Sequence, residues 1–321
     1  MQMLNRQSGV ALITVLLVVA LLTALVYHLM VHQSLVLAKS TQILRADKAI
    51  AYARGGETFA RQILFDDWNE TGSREHDSLL ETWAQSAEPL ELDEGFLELS
   101  ITDMQGRFNL NSLAGENPAT NLDKFKRLLA ALNVEPGLAD TWRDWIDDDS
   151  TLAGFGAEDA DYLSSDPPYR TANQPAYHAS ELRLIKNMDK DTYYTILPHV
   201  TVLPIPDFRI NINTASAETL QSVTTKMTPS KAQSLVETER DYHTRRSVLE
   251  EFPEFNESAD ALTVRSEFFE IQVRVEIDEG RVELTSLVYR DLQTGELTIL
   301  NRDYSRRFAG RQIENYAQTD N

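Results

Sequence analysis

The side chains best suited to chemistry form an acidic stretch over residues 140–166, which holds nine carboxylates and one basic residue. Carboxylate oxygens are the ligands that calcium prefers in proteins. If Asp147 is position 1 of a calcium-binding loop, Asp149 falls at position 3 and Thr151 at position 5. Glu158 then falls at position 12, where EF-hand loops carry a bidentate glutamate. The spacing therefore indicates a cation site, and the alternative is a solvated acidic face.

The loop departs from an EF-hand at one position. Leu152 stands at position 6, where the sharp EF-hand turn requires glycine. Gly154 and Gly156 follow, and they can still form a tight turn lined by oxygen atoms. We therefore expect a hard cation in a loop that is not an EF-hand.

Enzymatic chemistry is not indicated by the other motifs. The sequence has no G-x-S-x-G, no G-x-x-x-x-G-K and no H-E-x-x-H motif. An isolated histidine is more often a surface or core residue than a catalyst. The six histidines show no metal-ligand spacing: His28, His32, His76, His178, His199 and His243.

The composition limits the other functions. The chain has 321 residues, enough for about two domains, and its formal net charge is −20. This acidic balance disfavours nucleic-acid binding, because the phosphates would be repelled. There is no cysteine, so packing or a metal must hold the extracytoplasmic part together in place of a disulfide.

A long apolar segment begins after Gly9. No Asp, Glu, Lys or Arg occurs between Val10 and Ala38, and roughly 20 apolar residues suffice to span a bilayer. A secretory signal peptide would have a shorter apolar core and an A-x-A-like end. A plain membrane anchor and a type IV pilin-like leader both fit the length. In the second case a peptidase cuts after Gly9, and Val10 becomes the mature amino terminus.

The residues after this segment favour the pilin-like interpretation. Leu37, Leu44 and Ala51 recur every seven residues with no proline between them, which predicts one helix to about Phe65. A simple anchor does not need this extension. Basic residues lie on both sides of the apolar segment, so the positive-inside rule does not set the orientation. We place the amino terminus in the cytoplasm because the leader interpretation requires it.

The fifth position counted from Val10 is Thr14. Pilin-like subunits usually have glutamate there, which is proposed to pair with the amino terminus of a neighbouring subunit. An unpaired carboxylate in the bilayer costs about 2.5–3.5 kcal/mol on insertion scales. Thr14 cannot form the ion pair. A subunit that need not dock onto an earlier one suits the first position at a filament tip.

One short pattern occurs twice in the chain. Residues 107–113 (Arg-Phe-Asn-Leu-Asn-Ser-Leu) and 209–215 (Arg-Ile-Asn-Ile-Asn-Thr-Ala) share Arg-apolar-Asn-apolar-Asn-hydroxyl. Each copy leads into a helical stretch, a P-x-x-A sequence and another helical stretch. Asn, Ser and Thr cap helix amino termini, which explains the residue types. Two related helical units are therefore predicted.

The second copy also resembles helix-hairpin-helix modules of DNA-uptake and repair proteins. Those modules hold phosphate with a glycine-rich hairpin and basic residues, whereas residues 228–231 (Thr-Pro-Ser-Lys) contain no glycine. A structural role is favoured, and we expect no nucleic-acid partner.

The remaining segments alternate apolar and polar residues, as half-buried strands do. This alternation runs over residues 97–102 and 271–278, and turn signals at 278–280 and 294–295 separate two further strands. One strand before the helical units and three after them predict an antiparallel sheet domain with a helical domain inserted. Residues 311–321 are predicted to be a disordered tail.

Taken as a whole, the chain resembles the general secretion pathway protein K family, the large minor pseudopilins of bacterial type II secretion systems. The resemblance rests on the leader and apolar helix, the missing glutamate at Thr14 and the two Asn-x-Asn copies. It also rests on residues 142–149 (Trp-Arg-Asp-Trp-Ile-Asp-Asp-Asp), 156–159 (Gly-Ala-Glu-Asp) and Tyr162. It covers nearly all of the chain, although Val10 replaces the phenylalanine usual at the first mature position.

This resemblance implies a fold, a location and partners. The fold is α+β: a pilin-like long amino-terminal helix packed on an antiparallel sheet, with a large inserted all-α domain similar to SAM and helix-hairpin-helix domains. The subunit crosses the inner membrane once, with its globular part in the periplasm, and initiates or caps assembly at the pseudopilus tip. Its partners are minor pseudopilins I and J, the major pseudopilin, the prepilin peptidase, the inner-membrane assembly platform and the lipid bilayer.

The resemblance also implies the functional residues. Gly9 precedes the cleavage site, Val10 is the N-methylated mature terminus, Thr14 is the assembly position, and no residue is catalytic. Calcium is the implied structural cofactor of the helical domain. The acidic residues that match the family motif, and are thereby nominated as metal ligands, are Asp147, Asp149, Glu158, Asp159 and Asp161.

The predicted boundaries are 1–9 for the leader, 10–66 for the long helix, 67–106 with 263–310 for the sheet domain, 107–262 for the helical domain and 311–321 for the tail. Two other functions stay open, a membrane-tethered DNA-uptake protein and an anchored calcium-dependent enzyme. A salt-dependent DNA shift would indicate the first, and turnover of a secreted polymer would indicate the second.

Overall fold

The computed structural model describes residues 8–70, 75–85, 88–277 and 280–306. Residues 1–7 of the predicted leader and the whole predicted tail 311–321 lie outside these ranges. The α-helices are α1 Ser8–Asn69, α2 Pro118–Ala131, α3 Leu138–Ile146, α4 Asp159–Tyr162, α5 Lys190–Ile196, α6 Ala217–Val223, α7 Pro229–Glu237 and α8 Arg245–Glu251. The strands are β1 Leu90–Leu92, β2 Gly95–Asp103, β3 Phe108–Asn109, β4 Val200–Thr201, β5 Ile210–Asn211, β6 Leu262–Thr263, β7 Phe268–Ile277, β8 Gly280–Arg290 and β9 Leu297–Asp303. Short 3-10 helices occupy Thr82–Ala84, Leu110–Ala114, Ala179–Leu184, Leu197–His199 and Pro253–Ala261.

The first helix, α1, is a continuous helix of 62 residues and is about 90 Å long at 1.5 Å per residue. Its apolar side chains from Val10 to Leu44 are exposed, and this part is long and apolar enough to cross a bilayer. The helix ends at Asn69 rather than at the predicted Phe65. The first part of α1 therefore fits a single-pass membrane anchor.

The second part of α1 packs on the sheet through one face. Ala49, Ala53 and Leu64 are at most 1% exposed and lie on the same side of the helix. Gly56 lies on this face too, and a Cβ there would come within 2.8 Å of Val273 Cγ1 on β7. Small residues therefore let the helix backbone approach the sheet closely.

An ion pair between a buried glutamate and a partly exposed arginine fixes how α1 lies across the sheet. Glu57 of α1 is 1% exposed, and its carboxylate accepts hydrogen bonds from Arg302 Nη2 at 2.7 Å and Arg302 Nε at 3.0 Å. Ser286 of β8 also donates to this carboxylate. A bidentate pair of this kind constrains orientation as well as distance, so α1 is held across β8 and β9.

The sheet has five antiparallel strands in the order β1-β2-β7-β8-β9. Strand β2 pairs with β7 along its whole length, with Gly95 opposite Ile277 and Asp103 opposite Phe269. The predicted α+β fold, a long helix packed on an antiparallel sheet, is confirmed. Strand β1 is an addition to the single strand predicted before the helical units, because three residues are too few to show alternation.

The helical part joins the sheet at the end away from the membrane anchor. At the near end, Lys48 of α1 pairs with Glu94 in the β1–β2 turn. At the far end, Trp68 of α1 packs against Gly295 in the β8–β9 turn. The first residue of β7 pairs with Tyr289, close to that far turn, and β2 ends beside it. Helices α2 to α8 therefore branch from the far end of the sheet.

These helices form two units with the same closure. In the first unit, residues 108–201, β3 pairs in parallel with β4 and Phe108 lies opposite Val200. In the second unit, residues 210–263, β5 pairs in parallel with β6 and Ile210 lies opposite Leu262. Each unit begins with one Asn-x-Asn copy and continues through its helices. Its last strand then pairs with its first strand. One hydrophobic core joins both units, and another lies between α1 and the sheet.

Candidate functional site

Three carboxylates of the acidic stretch converge in the first unit, and we call Asp144, Asp147 and Glu158 the loop cluster. Asp144 lies in the last turn of α3, Asp147 follows that helix directly and Glu158 directly precedes α4. One carboxylate oxygen from each residue lies within 4.8 Å of the other two. One hard cation can contact all three carboxylates at this spacing.

The segment between α3 and α4 folds back over Asp144. The Asp144 carboxylate is fully buried and accepts the backbone N–H of Ala153 at 3.1 Å. A Cβ on Gly156 would lie 1.8 Å from Asp144 Oδ2, so a side chain there would displace the carboxylate. Gly154 has a φ of +53°, in the left-handed region that favours glycine. The two glycines assigned to a tight turn therefore shape the loop around Asp144.

The loop cluster resists ionisation. Burial raises the pKa of Asp144 to about 7, with help from the carboxylates of Glu158 and Asp147 and against the hydrogen bond from Ala153. Burial also raises the pKa of Asp147 and of Glu158, and neighbouring acidic groups add to both shifts. Arg143 is the cation beside them, with its Nε 3.6 Å from Asp147 Oδ2 and its side chain 30% exposed. The loop cluster therefore has three carboxyl groups and one nearby arginine, which is partly exposed.

Several oxygens of the loop cluster have no hydrogen-bond partner within the described part of the chain. They are Oδ1 of Asp147 and, apart from the backbone N–H groups that begin α4, both carboxylate oxygens of Glu158, and all three atoms are buried. A buried acceptor without a partner costs about 1–3 kcal/mol, and more when it is charged. Calcium takes about six to eight oxygen ligands and would use these atoms. The residues of the loop cluster therefore fit calcium.

Asp144 is the member that the sequence analysis did not nominate. It lies three residues before Asp147, a spacing that puts both side chains on one helix face, so the helical period could have shown it. Asp149, which was nominated, is exposed and lies outside the loop cluster. Its Oδ1 accepts the backbone N–H of Thr151 at 2.6 Å, so it shapes the loop.

The structure does not bring Asp159 and Asp161 into the loop cluster either. Asp159 accepts hydrogen bonds from Arg170 Nη1 at 2.6 Å and from Thr171 Oγ1 at 2.9 Å. Asp161 pairs with Lys186 Nζ at 2.7 Å. Hydrogen bonds lower the pKa of both carboxyl groups, chiefly the one from Thr171 to Asp159 and the one from Lys186 to Asp161. Both carboxylates already have partners from the chain, which sequence spacing does not reveal.

A second buried group lies where α1, the sheet and the helical part meet, and we call Asp67, Asp77 and Arg290 the arginine cluster. Arg290 ends β8 and is 1% exposed. Its Nη2 donates to Asp77 Oδ1 at 2.5 Å and to the carbonyl of Ser266 at 2.8 Å. Its Nη1 lies 3.7 Å from Asp67 Oδ2. Its guanidinium lies 4.7 Å from the centre of the Phe269 ring. The sequence analysis missed this group because its members are far apart along the chain.

Asp67 is the carboxyl group of this cluster that most resists ionisation. Burial raises the pKa of Asp67 to about 8, reinforced by Glu81 and Asp77 and opposed by Arg290. Glu81 makes its own contacts, accepting the N–H of Ser78 at 3.0 Å. Arg290 thus balances the Asp77 carboxylate most directly, and Asp67 holds its proton more tightly than an ordinary aspartate.

The second asparagine of each copy holds a following loop through its backbone. Asn111 accepts the N–H of Ala176 at 2.8 Å and donates to its carbonyl at 3.0 Å. Asn213 accepts the N–H of Tyr242 at 2.9 Å and donates to its carbonyl at 3.1 Å. Each side chain therefore pairs with one backbone residue as a neighbouring strand would.

The first asparagine of each copy has a different task in the two units. Asn211 Nδ2 donates to Asp103 Oδ2 at 3.0 Å, to Ser266 Oγ at 2.9 Å and to the carbonyl of Asp77 at 3.1 Å. Asn109 instead donates to two carbonyls within the helical part. The same motif therefore fixes the first unit to the segment that follows it and fixes the second unit to the sheet.

The predicted capping role of these asparagines holds in part. Asn109 accepts the N–H of Asn111 at 3.2 Å and caps the short 3-10 helix that follows. Helix α6 is capped by Ser216, whose Oγ accepts the N–H of Thr219 at 3.2 Å. The asparagines mainly bind distant loops, and a sequence pattern does not show which loop reaches them.

The α6–α7 connection favours a structural role over phosphate binding. Lys226 Nζ pairs with Glu257 Oε1 at 2.5 Å, and Lys231 pairs with Glu254. Acidic groups of the chain therefore offset the basic residues that a helix-hairpin-helix module would offer to phosphate.

Thr14, the predicted assembly position, lies in the exposed apolar part of α1. Thr14 Oγ1 donates to the carbonyl of Ala11 at 2.9 Å, so its hydroxyl is satisfied within its own helix. The backbone of Gly9 belongs to the same helix and Val10 is exposed. Cleavage after Gly9 and methylation of Val10 stay predictions.

Known proteins resemble both the sequence and the fold. The profile of the family described as "Type II secretion system (T2SS), protein K" matches residues 106–205, which contain the first unit. The chain is 34% identical over 316 residues to type II secretion system protein K of Pseudomonas aeruginosa, covering 94% of each chain. It is 31% identical over 324 residues to that of Pectobacterium carotovorum, covering 94% of this chain and 98% of the relative. The fold is similar to GspK in the crystal structure of the GspK-GspI-GspJ complex from enterotoxigenic Escherichia coli, with a TM-score of 0.74, 22% identity and coverage of 84% of this chain and 100% of that chain.

Proposed function

The chain belongs to the type II secretion system protein K family, and we propose that it is the subunit at the tip of the pseudopilus. As a member of this family it is a minor pseudopilin of a type II secretion system. At the tip it initiates or caps assembly and so supports export of folded proteins across the outer membrane. Its role is structural, with no catalytic residue.

The position of the helical part carries this proposal. Helices α2 to α8 branch from the end of the sheet that lies farthest from the membrane part of α1. A subunit stacked above would meet this helical part rather than the end of a slim pilin-like sheet. The size and position of the helical part therefore suit a subunit that has neighbours below it and none above.

The related GspK was crystallised in complex with GspI and GspJ. We infer that minor pseudopilins I and J are the immediate partners of this chain, and that the major pseudopilin lies below them. The exposed apolar side chains of α1 pack in the inner membrane before assembly, with the globular part in the periplasm. The prepilin peptidase and the inner-membrane assembly platform act on this membrane-bound form.

Site-specific cross-linking tests the tip position, and the absence of cysteine from the sequence makes it direct. Ser40→Cys probes α1, whereas Ser165→Cys and Ser234→Cys probe the helical part, and all three serines are exposed. We expect Ser40→Cys to cross-link to other pseudopilins in assembled filaments. The two helical variants should give no cross-link to the major pseudopilin. Cross-linking of the helical variants to the major pseudopilin as strongly as Ser40→Cys would place the chain along the filament and overturn the proposal.

Thr14 gives a second test. A carboxylate at this position of a tip subunit would be buried in the bilayer without a partner, at about 2.5–3.5 kcal/mol. Thr14→Glu should therefore impair insertion or initiation, and secretion of a reporter exoprotein should fall. Thr14→Leu removes only a hydroxyl that bonds to its own helix, and it should be nearly silent. Normal secretion with Thr14→Glu subunits spread along the filament would identify an ordinary filament subunit.

Processing at Gly9 is tested by Gly9→Val. The peptidase must approach the backbone closely at the scissile bond, and a side chain there would block it. We expect full-length protein to accumulate in the inner membrane and secretion to fall. Mass spectrometry of the mature wild-type protein should find a methylated Val10, and normal cleavage of the variant would contradict the leader interpretation.

We also propose that the loop cluster holds a structural calcium ion. The unpartnered oxygens of Asp147 and Glu158 and the buried Asp144 support this, since a cation would neutralise carboxylates that now face one another. The side chains of Asp159 and Asp161 would remain in their ion pairs with Arg170 and Lys186.

A further inference from the structure

Two histidines and an aspartate meet outside both clusters. His76 lies in the segment after α1, whereas Asp241 and His243 lie in the connection between α7 and α8. His76 Nε2 is 2.8 Å from Asp241 Oδ1, and His243 Nε2 is 3.6 Å from Asp241 Oδ2. The two imidazole rings are 3.9 Å apart between centres, and one ligand atom from each residue lies within 4.8 Å of the other two. Because 165 positions separate His76 from Asp241, sequence spacing does not reveal this group.

The group contains polar atoms that lack partners. The His76 side chain is 7% exposed, and its Nδ1 is buried with no hydrogen bond to any residue that the structure describes. Glu81 Oε1 is also buried without a hydrogen-bond partner there, and it lies 4.0 Å from His76 Nε2. A further oxygen therefore lies beside His76. Asp241 and His243 are about half exposed, which leaves a path from solvent.

The backbone around the group is already fixed. Asn213 Nδ2 donates to the carbonyl of Asp77, next to His76, and to the carbonyl of Tyr242, between Asp241 and His243. One side chain thus ties together the two segments that carry the three residues. Metal sites need ligands held in place by such outer contacts.

We propose that His76, Asp241 and His243 bind a zinc-class transition-metal ion, with Glu81 as the fourth ligand. Zinc is bound by about four ligands in tetrahedral geometry, with imidazole nitrogens and carboxylate oxygens as common donors. Two imidazoles distinguish this site from the loop cluster, because calcium takes oxygen ligands. The ion joins the segment after α1 to the second unit, in a chain that has no disulfide to do so.

Zinc binding to the full-length protein in detergent, purified without a polyhistidine tag, tests this site. The protein is stripped with a chelator and titrated with zinc in millimolar calcium, which keeps the loop cluster occupied. We expect about one zinc ion per chain in tetrahedral coordination, detected by calorimetry and metal analysis. X-ray absorption at the zinc edge should show a nitrogen and oxygen shell with imidazole scattering.

His243→Gln is the decisive variant, because its exposed side chain leaves the fold intact. It should raise the dissociation constant for zinc at least about tenfold, with an unchanged melting temperature in the absence of zinc. His178→Gln is the matched histidine control, and Asp147→Asn/Glu158→Gln is the control for the loop cluster. Both should bind zinc as the wild type does. Unchanged zinc binding by His243→Gln, or no zinc binding by the wild type at micromolar concentration, would overturn the proposal.

Discussion

The loop cluster and the arginine cluster are two sets of buried carboxylates with opposite solutions to the same electrostatic problem. In the arginine cluster, a 1% exposed Arg290 at the end of β8 reaches Asp67 on α1 and Asp77 in the segment after it. In the loop cluster, the charged partner is Arg143 on the same helix, which is 30% exposed and 3.6 Å from its nearest carboxylate oxygen. Burying a carboxylate without a counter-charge raises its pKa or requires an ion from outside. The arginine cluster has a buried counter-charge from the chain, although Arg290 Nε, Arg290 Nη1 and Asp67 Oδ2 have no hydrogen-bond partner among the described residues. The loop cluster has only a partly exposed counter-charge, and we propose that a cation supplies the rest.

The difference follows from what each cluster joins. The arginine cluster lies where α1, β8 and the segment before the helical part meet, and its counter-charge is supplied by the chain itself. The loop cluster lies in one loop of the first unit, between α3 and α4. Calcium bound there would contact only this loop and the ends of the two helices that flank it.

The largest expected effect comes from removing the internal cation. Arg290→Met leaves Asp67 and Asp77 buried without their counter-charge, and breaking a buried pair costs about 3–5 kcal/mol. We expect a large loss of thermal stability of the full-length protein in detergent, measured by circular dichroism. Arg281→Met is the matched control, since this arginine of β8 is 51% exposed in its ion pairs and should cost at most about 1 kcal/mol. Equal losses in the two variants would show that the buried arginine does not stabilise the junction.

The second effect is removal of calcium. An ion that binds only the folded state stabilises it by about 2.7 kcal/mol when its concentration is 100 times the dissociation constant. Chelation should therefore lower the melting temperature, and calcium should restore it better than magnesium, which requires a smaller octahedral shell. Asp147→Ala/Glu158→Ala should abolish this shift, while Arg290→Met should keep it. An equal melting temperature with chelator and with millimolar calcium would show that the loop cluster does not bind calcium.

The third effect is the pH dependence of the arginine cluster. The pKa of Asp67 is raised from 3.8 to about 8, so the folded state holds this proton more tightly than the unfolded state does. The contribution of Asp67 to stability is therefore fully present below about pH 4 and is lost as the pH rises towards about 8. Asp67→Asn should remove this contribution, so the melting temperature should depend less on pH between 5 and 8. Each kcal/mol of unfolding free energy corresponds to about 2–4 °C in melting temperature. A variant with the same pH dependence as the wild type would show that Asp67 does not carry the extra proton.

Sequence patterns predicted the features that depend on residues close together along the chain. The apolar length and heptad spacing predicted α1, and the alternation in residues 271–278 predicted β7, because burial of one face imposes a period on each element. The acidic stretch likewise located the loop cluster and two of its members, Asp147 and Glu158. The arginine cluster and the partners of Asn213 could not be found in this way. Their members meet only after the helical units return the chain to the sheet.

The smallest expected effect comes from substituting Asp159, a carboxylate that already has partners within the chain. Asp159 is nominated by spacing, yet it accepts hydrogen bonds from Arg170 and Thr171 at a partly exposed site. Solvent screens exposed ion pairs and they contribute little, so Asp159→Asn should lower stability only slightly. The calcium-dependent shift in melting temperature should be unchanged in this variant, whereas Asp144→Asn should reduce it. The opposite result is loss of the calcium shift in Asp159→Asn and its retention in Asp144→Asn. It would mean that calcium is bound by the residue nominated from the sequence and not by the buried carboxylate of the fold.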